Sequence, residues 1–298
     1  MFIKNEKNGI CYYTSDLLSA YNITHAFFTR HGGVSKGDFS SLNVSTARKD
    51  RNGNVDDKKN VFENYRLALN ILGTTPEKSV GAKQVHENMV LRVENCDSAR
   101  GINPSLSEMN GCDGLFLDES ADMIEALCVK TADCVPVLLA SKDGKEVSAV
   151  HAGWRGTVSD IVTKAAEKFS CNKSDILCAI GPCIGVCCYE VGEEVYEAVK
   201  KLFEYKGIGH LTDTMFRNVC TCSASSKKKA NLSEINKTLL MNFGIPKENI
   251  DLSGICTCCH EDEFFSHRAS GGFSGTFVSA IRRQIRNQEL GISNERRI

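Results

Sequence analysis

The stretch Lys130–Ala140, KTADCVPVLLA, places an acid and a thiol, Asp133 and Cys134, directly before an uninterrupted apolar run. A short apolar run rich in β-branched residues is typical of a buried strand. Polar and reactive side chains at the start of such a strand are candidates for a functional site. The question is which other residues the fold brings to the same place.

Strands and helices alternate on both sides of this stretch. The apolar patterns predict further strands at 25–29, 113–118, 125–130, 146–150 and 175–180, two short strands or a hairpin around His86, and late strands near 253–257 and 275–281. Helical spacing predicts helices at 55–72, 159–169, 193–203 and 233–243, with stop signals at Gly73 and Gly244. Alternation with hairpin-like parts indicates an α/β fold with mixed sheets.

Length and charge limit the class of protein. The chain has 298 residues, 36 basic against 37 acidic, and a formal net charge of -1. It has no basic bias of the kind that binds a phosphate backbone, so we expect no nucleic acid partner, and the run Lys227–Lys229 is expected to be a solvated loop. Neither a signal-peptide core nor a membrane-length apolar window occurs, which favours a cytoplasmic protein without a membrane partner.

Cysteine is frequent, with 15 residues in the chain. Without a secretory signal this number favours reduced thiols over a disulfide framework. None of the clusters has two C-x-x-C pairs at zinc-ribbon spacing, so their metal signal is weak and small apolar residues in a reducing cytosol are the favoured interpretation. These clusters are Cys183, Cys187 and Cys188; Cys220 and Cys222; and Cys256, Cys258 and Cys259.

Three good ligands for a soft metal stand at predicted strand ends: His86, Cys134 and His151. The sequence separations are 134 − 86 = 48 and 151 − 134 = 17, which suit ligands assembled by a fold and not a tight structural zinc knuckle. Three protein ligands with an open position are the pattern of a catalytic zinc. A polar strand end and a core cysteine are the competing interpretation, and Asp133 is a candidate second-shell residue or general base.

Several longer blocks occur in one order along the chain: FFTRHGGVS, SLN, QVH, DGL, TADCVPVLL, AVHAGWRGT, AIGPCIGVCCYEVGEEV and FFSHR. Together they closely resemble the laccase-domain, or multicopper-oxidase-like, family. The names used for that family include YfiH-type polyphenol oxidase, peptidoglycan editing factor and purine nucleoside phosphorylase. The match runs from about Phe27 to Ile281.

The resemblance implies a fold and a metal. The family fold is a single-domain α/β sandwich of mixed β-sheets with flanking helices, so we expect one YfiH-like domain over 1–298 with a motif-bearing core at about 25–282. In the family, the histidine of QVH, the cysteine of TADC and the histidine of HAGWRG bind zinc. These map onto His86, Cys134 and His151, with copper the less favoured metal.

The resemblance also implies an activity. Such enzymes cleave adenosine, inosine, guanosine or methylthioadenosine with phosphate and also deaminate adenosine, so purine nucleosides and phosphate are the expected partners. Catalytic roles fall on Cys134, His86, His151 and Asp133. Candidate substrate contacts are Arg30, Asn43, Arg66, Arg155, Phe265 and Arg268. A monomer or small homo-oligomer is expected.

Three positions depart from the family pattern. His267 stands where the family often has tyrosine, Thr276 where it often has arginine, and Asn231 where it often has aspartate. The three metal ligands are untouched by these changes. Substrate choice and the phosphate pocket are the properties that they put in question.

Three other functions compete with the nucleoside enzyme. A four-copper laccase needs about ten histidines, largely in His-x-His pairs, whereas this chain has seven and no such pair, which leaves at most weak copper-dependent phenol oxidation. A cysteine hydrolase could use Cys134 with His86 or His151 and Asp133, and the family is related in structure to a deamidating toxin with a catalytic cysteine. A peptidoglycan-related editing or binding factor would hold zinc without turning over nucleosides.

Overall fold

The computed structural model describes residues 1–107, 109–218 and 227–284, so the predicted pair Cys220 and Cys222 lies outside the described residues. The strands are β1 (Phe2–Lys7), β2 (Ile10–Ser15), β3 (His25–Phe28), β4 (Ser79–Gly81), β5 (Val90–Arg92), β6 (Gly114–Leu117), β7 (Ala126–Thr131), β8 (Val135–Ser141), β9 (Val147–Ala152), β10 (Ile176–Ile180), β11 (Glu190–Val191), β12 (Phe216–Asn218), β13 (Lys228–Ala230), β14 (Ile250–Leu252) and β15 (Phe277–Arg282). The α-helices are α1 (Asp16–Ala20), α2 (Lys58–Ile71), α3 (Trp154–Val158), α4 (Ile161–Ala166), α5 (Glu193–Tyr205) and α6 (Leu232–Phe243).

Strand β8 is the apolar run that follows Cys134, and it is buried along its whole length. Its side chains alternate between two cores: Val137 and Leu139 face the helices, whereas Leu138 faces the other large sheet, which contains β7. Side chains of a strand point to opposite faces in turn, so a strand with a core on each side must be apolar throughout. The predicted buried strand is therefore confirmed.

Two six-stranded sheets form the centre of the molecule. The first has the order β1-β2-β3-β15-β7-β4, the second has the order β14-β10-β8-β9-β6-β5, and a small third sheet has the order β11-β13-β12. Most neighbours are antiparallel, but β4 pairs with β7, β5 with β6 and β10 with β14 in parallel. The predicted α/β sandwich with mixed sheets is confirmed.

The layers follow from which faces are apolar. Leu127 and Val129 of the first sheet meet Leu138 and Leu115 of the second in a shared core. Helix α2 covers the outer face of the first sheet, where Tyr65 packs in the core, and α4, α5 and α6 cover the outer face of the second. The result is a sandwich of two sheets between two layers of helices.

The structure decides one local prediction and corrects others. Of the two alternatives around His86, two short strands are confirmed and the hairpin is wrong, because β4 and β5 belong to different sheets. The segment after Gly153, for which no helix was predicted, is helix α3, and the helix predicted at 159–169 covers only Ile161–Ala166. Lys228 and Lys229 lie in strand β13 and not in a solvated loop, because they pair with β11 and β12. No helix of the described ranges is both long and apolar enough to cross a bilayer.

Candidate metal centre

Cys134 and His151 are brought together by the pairing of β8 with β9. Cys134 immediately precedes β8, His151 lies near the end of β9, and the antiparallel register sets Pro136 opposite His151. The start of one strand and the end of the other therefore share one edge of the sheet. His86 reaches the same edge from the loop between β4 and β5, and the ligand atoms of the three side chains all lie within 4.8 Å of one another.

Asp113 orients two of these ligands. Its carboxylate is fully buried and accepts a hydrogen bond of 2.7 Å from His151 Nδ1–H. The same carboxylate accepts the backbone N–H groups of Val85, His86 and Glu87 at 3.1, 3.0 and 2.8 Å. Because Nδ1 of His151 is a donor, the lone pair of its neutral ring is on Nε2, the tautomer that can bind a metal.

The sequence prediction missed Asp113. It belongs to the matched DGL block but carried no assigned role. An acidic residue just before β6, which pairs with β9, was the available signal. That signal identifies the carboxylate as a partner of His151 only when the register of β6 against β9 is known.

The electrostatics of the centre favour a thiolate. Burial alone would raise the pKa of Cys134, but the charge of His151 and hydrogen bonds from His151 and His86 outweigh it and lower the pKa to about 6. Burial likewise works against the charged form of His151, yet Cys134 and Asp113 raise its pKa to about 9. The thiol of Cys134 is thus held in the form that is both a nucleophile and a metal ligand.

The donor set fits a divalent metal. Two imidazoles and one thiolate are ligands typical of zinc, and three protein ligands leave one tetrahedral position open. Gly153 immediately precedes α3, and its lack of a side chain leaves space beside the candidate ligands. A Cβ at this position would lie 3.3 Å from Cys134 Sγ and 3.4 Å from His86 Cδ2. The backbone at His86 and Asp133 has positive φ values of 63° and 93°, a region that non-glycine residues adopt only uncommonly.

Asp133 connects the centre to the C-terminal part of the chain. One carboxylate oxygen accepts a 2.7 Å hydrogen bond from the Thr257 hydroxyl, and the other accepts one of 2.7 Å from the Arg268 backbone N–H. Its backbone carbonyl accepts the Ile184 N–H at 2.9 Å. Asp133 therefore holds two loops beside the candidate centre and also lines the adjoining cavity.

The three ligands open onto a cavity of about 890 Å³, which is large enough for a drug-sized ligand. Tyr65, Trp154 and Tyr189 line it, and two of these rings lie under a guanidinium: Arg155 is 4.5 Å from the Trp154 ring centroid, and Arg268 is 5.6 Å from that of Tyr189. Tyr189 was not singled out from the sequence. Other polar lining residues are Arg48, Lys58, Lys83, Gln84, Lys130, Thr131, His267 and Thr276.

The cavity gathers only part of the predicted substrate set. Of that set, Arg155 and Arg268 line it, as does Asp133, which was predicted as a catalytic residue. Arg66 is instead exposed on α2, where it pairs with Glu63. Since Arg66 is directed to solvent and held by an acidic neighbour, the structure does not bring it to the cavity.

Three further predicted residues also lie outside the cavity lining. Asn43 is fully buried and bonds to Ser45, Asp56 and the Thr276 backbone. Arg30 donates to backbone carbonyls and lies over the Phe265 ring at 4.6 Å, and Phe265 itself is fully buried. Two of the departures from the family pattern, His267 and Thr276, do line the cavity.

The protein is therefore an α/β sandwich of two mixed sheets with a candidate metal centre formed by two histidines and one cysteine. Residues 24–284 match the family model described as multi-copper polyphenol oxidoreductase laccase. The chain belongs to that family. Its resemblance to the laccase-domain family is thereby confirmed.

Known relatives agree with this assignment. The chain is 34% identical over 269 residues to a purine nucleoside phosphorylase of Bacteroides thetaiotaomicron, covering 89% of this chain and 93% of the relative. It is 32% identical over 274 residues to adenosine deaminase RL5 of an unknown prokaryote, covering 90% and 97%. The crystal structure of Bacillus licheniformis hypothetical protein YfiH superposes with a TM-score of 0.81 at 29% identity, covering 94% and 99%.

Proposed function

We propose that this protein is a zinc-dependent enzyme of purine nucleosides, which cleaves adenosine, inosine, guanosine or methylthioadenosine with phosphate and deaminates adenosine. The observation that carries the proposal is the convergence of His86, Cys134 and His151 at a cavity with aromatic and cationic walls. Relatives with nearly the same length as this chain bear names for both activities.

His86, Cys134 and His151 would hold the zinc. When bound, the metal supplies a Lewis acid and activates water near neutral pH. Asp113 keeps His151 in the tautomer with Nε2 available and fixes the loop that carries His86. Asp133 is the cavity carboxylate closest in sequence to the centre, and each of its bonded oxygens keeps a further lone pair with which to accept a proton.

The cavity walls match the chemistry of a nucleoside and phosphate. Trp154 and Tyr189 offer flat apolar faces for a purine ring. Among the described residues, the Arg155 guanidinium has no carboxylate partner, so its donors are available to phosphate. The residues Tyr65, Thr131 and Thr276 line the cavity, and their hydroxyls are buried without a hydrogen-bond partner in the described structure.

A product assay on protein of known zinc content tests the proposal. Adenosine and inosine are incubated separately, with and without phosphate, and free base, ribose 1-phosphate and ammonia are measured. We expect phosphate-dependent base release in proportion to zinc content, and ammonia from adenosine. Cys134→Ala should lose turnover while keeping the fold, and Cys96→Ser, an exposed cysteine outside the centre, should match the wild type. Full activity in a zinc-free Cys134→Ala protein would refute the mechanism.

A cysteine hydrolase is the second candidate, because the geometry contains a nucleophile, a base and an orienting acid. Cys134 lies beside His151, and His151 donates to Asp113, which takes the orienting place that the sequence suggested for Asp133. Metal dependence separates the two functions. A thiolate nucleophile keeps its activity after chelation and loses it with iodoacetamide, whereas the zinc enzyme loses activity after chelation and regains it when zinc is restored.

A further inference from the structure

A second group of thiols lies outside the candidate metal centre. Cys187 and Cys188 stand in the segment between β10 and β11, and Cys256 and Cys259 stand between β14 and β15. Their four sulfur atoms all lie within 4.8 Å of one another. Cys259 Sγ is 3.5 Å from Cys187 Sγ and 3.4 Å from Cys188 Sγ. Residues more than sixty positions apart in sequence thus form one compact sulfur cluster.

The backbone holds the two segments in register. Cys183 N–H donates to the Ile255 carbonyl at 3.2 Å, and Thr257 N–H donates to the Cys183 carbonyl at 3.0 Å, which forms an isolated parallel bridge. Gly185 N–H donates to Cys256 Sγ at 3.2 Å. An N–H group directed at sulfur stabilises the thiolate form, which is the form that binds metal. The cluster is therefore built by a paired scaffold and not by two loose loops.

The spacing of the sulfur atoms suits coordination. A disulfide needs sulfur atoms about 2.05 Å apart. A tetrahedral zinc with Zn–S bonds of about 2.3 Å separates its sulfur ligands by about 3.8 Å. The separations of Cys259 Sγ from the sulfur atoms of Cys188 and Cys187, 3.4 and 3.5 Å, lie close to this tetrahedral value.

Two cations lie beside the cluster. Lys229 Nζ donates to the Cys187 carbonyl at 2.6 Å, and an Arg268 guanidinium nitrogen donates to the Cys188 carbonyl at 3.1 Å. Zinc with four thiolates carries a net charge of about −2, which nearby cations stabilise. The surrounding charge thus complements a tetrathiolate metal site.

We propose that this cluster binds a structural Zn²⁺ through four thiolates, those of Cys187, Cys188, Cys256 and Cys259. Four protein ligands close the coordination sphere, which is the pattern of structural and not catalytic zinc. The ligand pairs are a vicinal Cys-Cys and a C-x-x-C. The sequence favoured reduced apolar thiols here because the two halves are far apart along the chain.

The position of the cluster suggests what this zinc does. The segment that carries Cys187 and Cys188 leads directly into Tyr189, and Arg268 joins that segment to Asp133 through its guanidinium and its backbone N–H. Tyr189 and Arg268 both line the cavity. A zinc ion at the cluster would hold this wall in place, so its loss should weaken ligand binding in the cavity more than it slows chemistry.

Metal analysis of the purified full-length protein tests the site. We expect about two zinc ions per chain in the wild type and in Cys96→Ser, one in Cys134→Ala, and one in Cys187→Ala/Cys259→Ala. The Cys134→Ala protein is decisive, because it keeps the cluster intact and needs no catalytic activity. Replacement of its remaining zinc by Co²⁺ should give strong thiolate charge-transfer absorption.

The contrary results are equally clear. A folded Cys134→Ala protein, prepared under reducing conditions, that holds no zinc would overturn the proposal. So would an intact mass showing a disulfide within the cluster in place of the metal. Neither measurement depends on nucleoside turnover, so failure of the proposed enzyme function would leave unchanged the one zinc ion that is expected in Cys134→Ala.

Discussion

Asp113 is not a proposed metal ligand, but its carboxylate accepts four hydrogen bonds at the candidate centre. Its carboxylate joins His151 to the backbone of the His86 loop. Such partners fix the orientation of a ligand ring and increase its basicity. The family blocks therefore contain a positioning acid in addition to the three ligands.

Replacing this carboxylate should weaken metal binding. In Asp113→Asn, the amide NH₂ would face backbone N–H donors that the carboxylate now satisfies. We expect zinc affinity at the centre to fall by about 10- to 100-fold, measured by competition with a chromogenic chelator. Asp118→Asn is the matched control, since Asp118 lies at the other end of β6 and pairs with Arg92. Equal zinc affinity in the two variants would contradict the role given to Asp113.

His25 is a buried histidine whose neutral form is set by its partners. Its Nδ1–H donates to the Ile23 carbonyl at 2.8 Å, and its Nε2 accepts the Ser15 N–H at 2.7 Å. Protonation of Nε2 would place an imidazole N–H opposite the Ser15 N–H, so that two donors would face each other. Burial lowers the pKa of His25 to about 4, against a partial opposing effect of Ile23 and Asp251.

This pKa predicts an acid-sensitive fold. Because the unfolded chain binds the proton more tightly, the stability from neutral His25 is complete above pH 6.5 and is lost as the pH falls towards 4. The loss should reach about 3 kcal/mol, measured by urea unfolding across this range. His25→Gln, which cannot titrate, should lack this component of the pH dependence. An identical acid profile in that variant would show that other groups cause it.

At the scale of elements, the SLN block acts as a brace that connects a loop to helix α2. Asn43 bonds to Asp56 and to the Thr276 backbone, and Asn64 of α2 donates to the Asn43 carbonyl at 2.7 Å. These groups are buried and mutually satisfied. We infer that Asn43 supports the fold next to the cavity and does not contact substrate directly.

Removal of this brace should cost stability. Asn43→Ala would leave several buried polar groups without partners, so we expect a loss of about 2 to 4 kcal/mol in the free energy of unfolding. Asn70→Ala, at an exposed position of α2, should change it by less than about 0.5 kcal/mol. Denaturant unfolding measures both. If Asn43→Ala kept full stability but lost nucleoside binding, the substrate role would be restored.

At the scale of the whole molecule, the cavity lies where separate layers meet. Its walls come from helix α2, the loop after β4, the β7–β8 turn and the loop between β14 and β15. Arg155 and Arg66 are both predicted substrate contacts, yet only Arg155 reaches this cavity. Phosphate recognition should therefore depend on the first and not on the second.

Arg155→Ala should raise the KM for phosphate by about 10-fold or more, since a charge-assisted hydrogen bond contributes about 1.5 to 3 kcal/mol. Arg66→Ala removes the same charge from an exposed position and should leave the phosphate KM unchanged. Initial rates of base release at varied phosphate and saturating inosine measure both. A larger effect in Arg66→Ala than in Arg155→Ala would reverse this assignment.

Local pattern was sufficient for much of the fold and for the candidate ligands. The run after Cys134 predicted a buried strand because apolar residues without alternation suit a strand with a core on both faces. Helices α2, α5 and α6 followed from spacing and stop signals within their own segments. Long matched blocks indicated the family and, through it, His86, Cys134 and His151.

Long-range pairing decided the rest. The register of β6, β8 and β9 places Asp113 against His151, and no spacing along the chain encodes that contact. The same holds for the four-thiol cluster, whose halves meet only because the segments around Cys183 and Cys256 pair. Side-chain direction separated Arg155 from Arg66. Residue type and local period constrain neighbours within a few positions, whereas a site assembled across sheets depends on contacts between segments far apart in sequence.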